Sequence, residues 1–406
     1  MPHRNSTTWI HSGKKWALGL GLWVLTVWGA SDGMNRQYRI EADFTDASHR
    51  TIRLYEQITL THRSARPLKE LFLVLYPNRF SKELPNLDDL NYRLIYPDGP
   101  SKGSIDGIEI SVDGRKTGLL DAQAPYYPDG TLARLSFDRP WEKGRTLTIE
   151  LRATVRIPEK FGAFGRYKEI LTLSGGWIPY VPAFDAETGF WLDALPPLAN
   201  WSLRIVKSPR DDLVLQGERF DARQTSVVLE NRQARQWSLQ LRPRLGTRTV
   251  RGRSHAIDIH LPRSESEDIH ASFEELGQRW LDFVEKQPAL ASFPPTRLTW
   301  VQAPSREALV KQGERVSFVS DRTFKVLRSL RQYHTAPAIA GLFYQLFYDA
   351  VSARESARRY DVVLEVLSWY WAERFMEYSR YVHRDARNLR AVKVFSFVPI
   401  VDQMLY

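Results

Sequence analysis

The first long stretch of this chain alternates between apolar and polar positions. Tyr38, Ile40, Ala42 and Phe44 are separated by polar residues, as are Ile108, Ile110 and Val112, and then Ala133, Leu135 and Phe137. Leu147, Ile149, Leu151, Ala153, Val155 and Ile157 form the longest run; Trp201, Leu203 and Ile205, then Trp237, Leu239 and Leu241, continue the pattern. Successive side chains on a strand point to opposite faces, so this period predicts strands with one face buried. The turn pairs Asp113-Gly114 and Asp129-Gly130 punctuate the runs. Many such strands at short spacing, up to about Arg244, predict a β-sandwich.

The pattern changes near residue 250. His255, Ile257, Ile259 and Leu261 predict one more strand. Ser264 and Glu267 then stand at capping-box spacing. Ile269, Phe273, Leu276, Trp280 and Phe283 recur at helical steps and predict an amphipathic helix. Leu298–Val301 and Val316–Val319 predict strands beyond the Pro294-Pro295 break. Two helices follow, one marked by Ile339, Leu342, Phe343, Leu346 and Phe347 over 338–349, the other by Tyr360, Val363, Leu367, Trp371, Phe375 and Tyr378. The second half is therefore α/β turning to α. The chain closes on the apolar stretch VKVFSFVPIVDQMLY, expected to be a docked terminal segment or the join to further chain.

At 406 residues, 43% apolar and 26% charged, the chain is long enough for two or three domains. Its 13 tryptophans suit core packing. Basic residues outnumber acidic ones by 57 to 47, but they are dispersed without a Lys/Arg run, so nucleic acid is not an expected partner. With no cysteine, disulfides, thiolate metal sites and cysteine nucleophiles are excluded. Lys14 and Lys15 precede an apolar run from Trp16 to Ala30, closed by the small residues Gly29, Ala30 and Ser31. That arrangement predicts a signal peptide or a membrane anchor over 1–34, with the remainder extracytoplasmic, either periplasmic, secreted or membrane-anchored.

Several phrases, taken in order, resemble the aminopeptidase N family of zinc metallopeptidases. YRIEADFTDASHRTIRLYEQITLTHRSARPLKELFLVLYPNRF (38–80) is similar to the opening of that family's N-terminal β domain. GGWIPYVPAF (175–184), WSLRIVKSP (201–209), VLQGE (214–218) and WAERFMEY (371–378) follow in the family's order. The resemblance covers roughly residues 38–380. It implies a saddle-like β-sandwich domain over 35–247 and a degenerate, truncated thermolysin-like domain over 248–406. It also implies that Glu373 stands where the family places its third zinc ligand.

The remaining chemistry of that family is missing from the sequence. HExxH sets two histidines one helical turn apart with a glutamate as general base. None of the nine histidines is followed by Glu, and no two stand four apart. Projected back from Glu373, the family spacing falls on Ala350 and Arg354, neither a usual zinc ligand. His334 is the nearest imidazole, followed by Thr335-Ala336-Pro337-Ala338 without the motif's Glu or second His. One imidazole and one carboxylate do not hold zinc. Where the family has its amine-anchoring GxMEN phrase this chain reads SREALVKQGERVSF, with Glu307 or Glu314 as substitutes. Only 33 residues follow Glu373, so the family's transition-state tyrosine is expected to be missing. His255 and His260, five apart on one strand, are expected on opposite faces and not as a metal pair.

The expectation is a non-catalytic relative of aminopeptidase N, with no cofactor and no metal. It would bind a peptide or protein partner in the former active-site cleft, lined by Tyr344, Gln345, Tyr348, Tyr370 and Glu373. One alternative is an active zinc metallopeptidase with a rearranged site using Glu373 and His334. Another is the N-terminal part of a larger envelope or surface protein.

Overall fold

The computed structural model describes residues 33–82, 89–123, 130–192, 196–306, 308–326, 331–352 and 360–379. The N-terminal apolar run and the closing apolar stretch lie outside them. Among the described residues no helix is long and apolar enough to cross a membrane.

A seven-stranded sheet dominates the first part, in the order 226–234, 199–207, 34–44, 51–62, 146–156, 104–112, 115–117. It is antiparallel except where Met34–Phe44 runs parallel to Ala199–Lys207. That pairing sets Tyr38 opposite Trp201, and their rings stack at 4.0 Å. The predicted alternation is realised as burial: Met34–Phe44 and Thr146–Arg156 bury every second residue. Asp113 and Gly114 both take positive φ, which the two-residue hairpin turn between 104–112 and 115–117 requires. A three-stranded sheet (68–74, 132–141, 120–121) and a five-stranded sheet (218–220, 212–215, 239–242, 170–173, 164–167) share the same hydrophobic core.

A second core is built from residues 257–376. Its five-stranded mixed sheet has the order 245–251, 256–262, 297–303, 316–320, 310–313, with the three middle strands parallel. Ile257, Ile259, Leu298 and Trp300 face the helices Glu267–Lys286 and Gln332–Ser352. The sheet's other face is apolar only in part. Val301, Ala303, Val316 and Phe318 meet Val214 and Leu245 in a small third cluster that joins the two parts.

Three local expectations change. The helix predicted to open on a Ser264/Glu267 capping box has Ser266 at its N-cap, with no side-chain cap bond. Glu267 is drawn instead to Arg248, 2.7 Å away on the neighbouring strand. The helix predicted over 338–349 begins at Gln332 and takes His334 into its first turn. On Tyr360–Tyr378 the buried stripe is Leu364, Ser368, Ala372, Phe375 and Met376, about one position round from the predicted one. Val363, Leu367 and Trp371 are half-buried and Tyr378 is exposed. Apolar residues surround this helix, so periodicity does not select a face. The small Ser368 and Ala372 permit the close approach that does.

One core position breaks the alternation. Glu56 lies between Ile40 and Leu151 on the inner face of the large sheet, fully buried, and neither carboxyl oxygen has a hydrogen-bond partner. Burial holds its carboxyl well above the usual range, so it folds neutral. The native state then keeps a proton that the unfolded chain releases above about pH 4.5, so stability falls as pH rises from that value towards the raised native pKa. Glu56→Leu is expected to stabilise the protein by about 1–3 kcal/mol, more at pH 8 than at pH 5, in thermal or urea melts.

Candidate functional site

The residues expected to line a cleft are not brought together. Gln345 is buried as a clamp: its Oε1 accepts the Thr299 N–H at 2.8 Å, and its Nε2 donates to the Thr299 carbonyl at 2.9 Å and to Ser317 Oγ at 2.6 Å. Tyr344 stacks on Tyr348, and Tyr348 is buried. Tyr370 and Glu373 are exposed on the following helix, where Arg374 bonds Tyr370 and Glu377. Trp371 packs against Phe343 across the seam between the two helices, where the cleft was expected. His334 is buried and accepts the Phe324 N–H on Nδ1 at 2.9 Å. Burial lowers its pKa, so it acts as a neutral cap on the preceding loop. The Ala350 side chain, Arg354 and Glu307 lie outside the described residues. Among the described residues no three His, Asp or Glu side chains are grouped to hold a metal ion.

Glu314 has a defined role. It sits in the turn between strands 310–313 and 316–320 and is buried. Its carboxylate accepts backbone N–H groups of Arg235, at 3.1 Å, and Gln236, at 2.6 Å, and bonds the Tyr348 hydroxyl. Burial pushes its pKa up to about 7, against the lowering by those donors. The group therefore ties the edge of the mixed sheet to the first part. Its stability contribution falls as pH rises from about 4.5 through about 7. Glu314→Gln is expected to flatten the stability-versus-pH slope across that window, read from melting temperatures at successive pH values.

A hollow of about 960 Å³ lies where the two parts meet. Its floor is the second face of the mixed sheet. Thr247, Asp258, His260 and Thr299 stand there, on the strand registers Thr247↔His260 and Asp258↔Thr299. Over it hangs the hairpin 212–220, whose turn residues Gln216 and Gly217 both take positive φ. The Gly217 carbonyl accepts from Thr299 Oγ1 at 3.3 Å and faces His260 Nε2 at 3.4 Å. That carbonyl requires the proton on Nε2, so Nδ1 accepts the Thr247 hydroxyl at 2.9 Å. Desolvation lowers the His260 pKa to about 4. With both nitrogens engaged and basicity this low, His260 positions the turn and is a poor general base.

Charge is arranged in pairs around this floor. Arg297 grips Asp258, which also accepts the Thr249 hydroxyl at 2.7 Å. Arg315 approaches Asp349 at 3.2 Å, and Asp349 accepts the Thr296 hydroxyl at 2.6 Å. In both pairs the carboxylate is inside and the guanidinium outside: Arg297 is 64% exposed against 7% for Asp258, and Arg315 50% against 26% for Asp349. On the hairpin side Arg219 turns inward to Asp212 at 2.8 Å, while Glu218 and Asp221 are exposed.

Sequence reasoning missed this hollow. From sequence His260 reads only as half of a discounted metal pair, and VLQGE only as a family-like phrase. The available signal was the polar alternation Asp258, His260 within an otherwise apolar strand of a sheet covered on both faces.

No family model and no curated protein matches this sequence. Solved structures show a distant likeness. A single-residue mutant of the M1 zinc metallopeptidase from Deinococcus radiodurans superposes with TM-score 0.45 and 11% identity, covering 77% of this chain and 64% of that one. The same metallopeptidase without the mutation gives TM-score 0.43 and 10% identity, covering 78% and 71%. The chain thus spans less than two thirds of the first of these structures.

Gly217 holds the hairpin to the floor: a Cβ there would lie 2.5 Å from Thr299 Oγ1 and 2.8 Å from the Arg315 carbonyl, at φ +83°. Gly217→Ala is expected to cost about 1–3 kcal/mol in urea melts. Gly118→Ala, where nothing lies within 4 Å, should change little.

Proposed function

We propose that this chain is a non-catalytic, aminopeptidase N-like binding protein, exported or membrane-anchored, that takes a peptide in the hollow between its two parts. The observation that carries this reading is the hollow itself. It has the size of a ligand site and lies between two packed units. Its walls hold rigid, paired donors and acceptors instead of an activated nucleophile and base. A peptide offers alternating N–H and C=O groups with charged ends, and that set matches these walls. The order of family-like phrases from 38 to 378, without HExxH or GxMEN, supports a scaffold whose hydrolytic chemistry is lost. Relative to the sequence-based expectation, the binding site moves from the helix seam to the interface of the two parts.

The purified protein is expected to bind trialanine in isothermal titration calorimetry and to leave alanine 4-nitroanilide intact, with metal content well below one per chain. One zinc per chain together with chelator-sensitive hydrolysis would establish instead an active peptidase with a rearranged site.

A further inference from the structure

The exposed charges of the hollow are segregated by wall. Arg297 begins strand 297–303 and Arg315 precedes strand 316–320. These strands are parallel neighbours, so both guanidiniums stand at the same end of the mixed sheet. Each is paired with a carboxylate more buried than itself: Asp258 holds Arg297 through both Nε and Nη2, and Asp349 lies 3.2 Å from Arg315 Nε. On the hairpin wall Glu218 and Asp221 are exposed, while Arg219, less exposed, bonds Asp212 at 2.8 Å and lies 3.9 Å from Asp221. The hollow is therefore polarised: the more exposed member is the cation in both floor pairs and the carboxylate in the hairpin's Arg219–Asp221 pair.

We propose that the hollow recognises the two free ends of a short peptide, the C-terminal carboxylate at Arg297 and Arg315 and the N-terminal ammonium at Glu218 and Asp221. The assignment rests on the peptide-binding reading above and adds its polarity. A lone anion would meet the carboxylates paired behind both arginines and gain little net attraction. A neutral polyol would leave the separation of charge unused. A zwitterion satisfies both walls at once, and the volume limits its length to a few residues. Phe293 and Leu346 add apolar lining that side chains of the bound segment could meet.

The test is calorimetry on the full chain with trialanine, N-acetyl-trialanine, trialanine amide, inorganic phosphate and maltotriose. Loss of one charge-assisted hydrogen bond weakens binding by about 10- to 100-fold. Amidation is expected to weaken binding on that scale, and acetylation by about 10-fold. Arg315→Gln should bind trialanine and its amide with equal, weak affinity, whereas Asp221→Asn should lose only the discrimination against the acetylated form. Arg297→Lys keeps the charge opposite Asp258 while removing the fork, so a folded variant with a reduced carboxylate preference also supports the assignment. Equal binding of free and capped peptides by the unmodified protein would overturn end recognition while leaving peptide binding in place. If none of the three peptides binds, the peptide reading falls as well. Binding of phosphate or maltotriose alone would reassign the hollow to an anion or a sugar.

Discussion

The hairpin over residues 212–220 comes so close to the mixed sheet that one methyl group at Gly217 would collide with Thr299 and the Arg315 carbonyl. The shape of the hollow beside it depends on that approach. Val214 and Leu245 join Val301, Ala303, Val316 and Phe318 in the only apolar cluster shared by both parts among the described residues. Next to that dry seam the same two surfaces diverge, and there the facing residues become threonine, aspartate, histidine and arginine. A contact apolar along its whole length would have closed the interface. An apolar seam of limited length leaves a hollow beside it, with walls carried on strands.

The buried polar groups of the two parts do different work. Glu314 reaches from the edge turn of the mixed sheet to three donors, two of them backbone N–H groups of the first part and one the Tyr348 hydroxyl on a helix. It makes a further contact between the two parts, differing from the Gly217 contact in its sensitivity to protonation in the neutral range. Gln345 does the same for the long helix, holding it to two parallel strands through three hydrogen bonds. Glu56, by contrast, has no such partner, sits far from the hollow in sequence and register, and costs stability for which the structure shows no return.

Much of the framework was legible in the sequence because burial on one face imposes period two. The runs from Tyr38, Leu147 and Trp201 became strands whose inner residues are the ones the pattern marks. The helix from Ile269 to Phe283 buried its predicted stripe for the corresponding reason. Where both faces of an element are apolar, the pattern carries no direction, and the 360–378 helix turned a different stripe inward than its spacing suggested. Side chains chosen for a cleft failed on a related ground. Tyrosine and glutamine on a long helix can line a groove or lock a core, and only the partners decide. Gln345 found the strand groups of Thr299, and Tyr348 found Glu314.

The hollow was the least legible feature, because its residues come from six separated segments and none forms a motif. Asp258 and His260 owe their position to a parallel sheet with two covered faces, where strands ordinarily read as continuous apolar runs. Two polar residues at alternate positions in such a strand are costly unless something satisfies them. Here Arg297, Thr249, Thr247 and the Gly217 carbonyl do so. In each pair of the floor the guanidinium remains the more exposed member. On the peptide-binding reading, that floor, facing a hairpin whose exposed groups Glu218 and Asp221 are acidic, has its polarity set before any ligand arrives. Preorganised charge of this kind adds little to folding but favours a ligand of matching polarity, so the polar breaks in the apolar pattern trace the proposed site more directly than the family-like phrases around them.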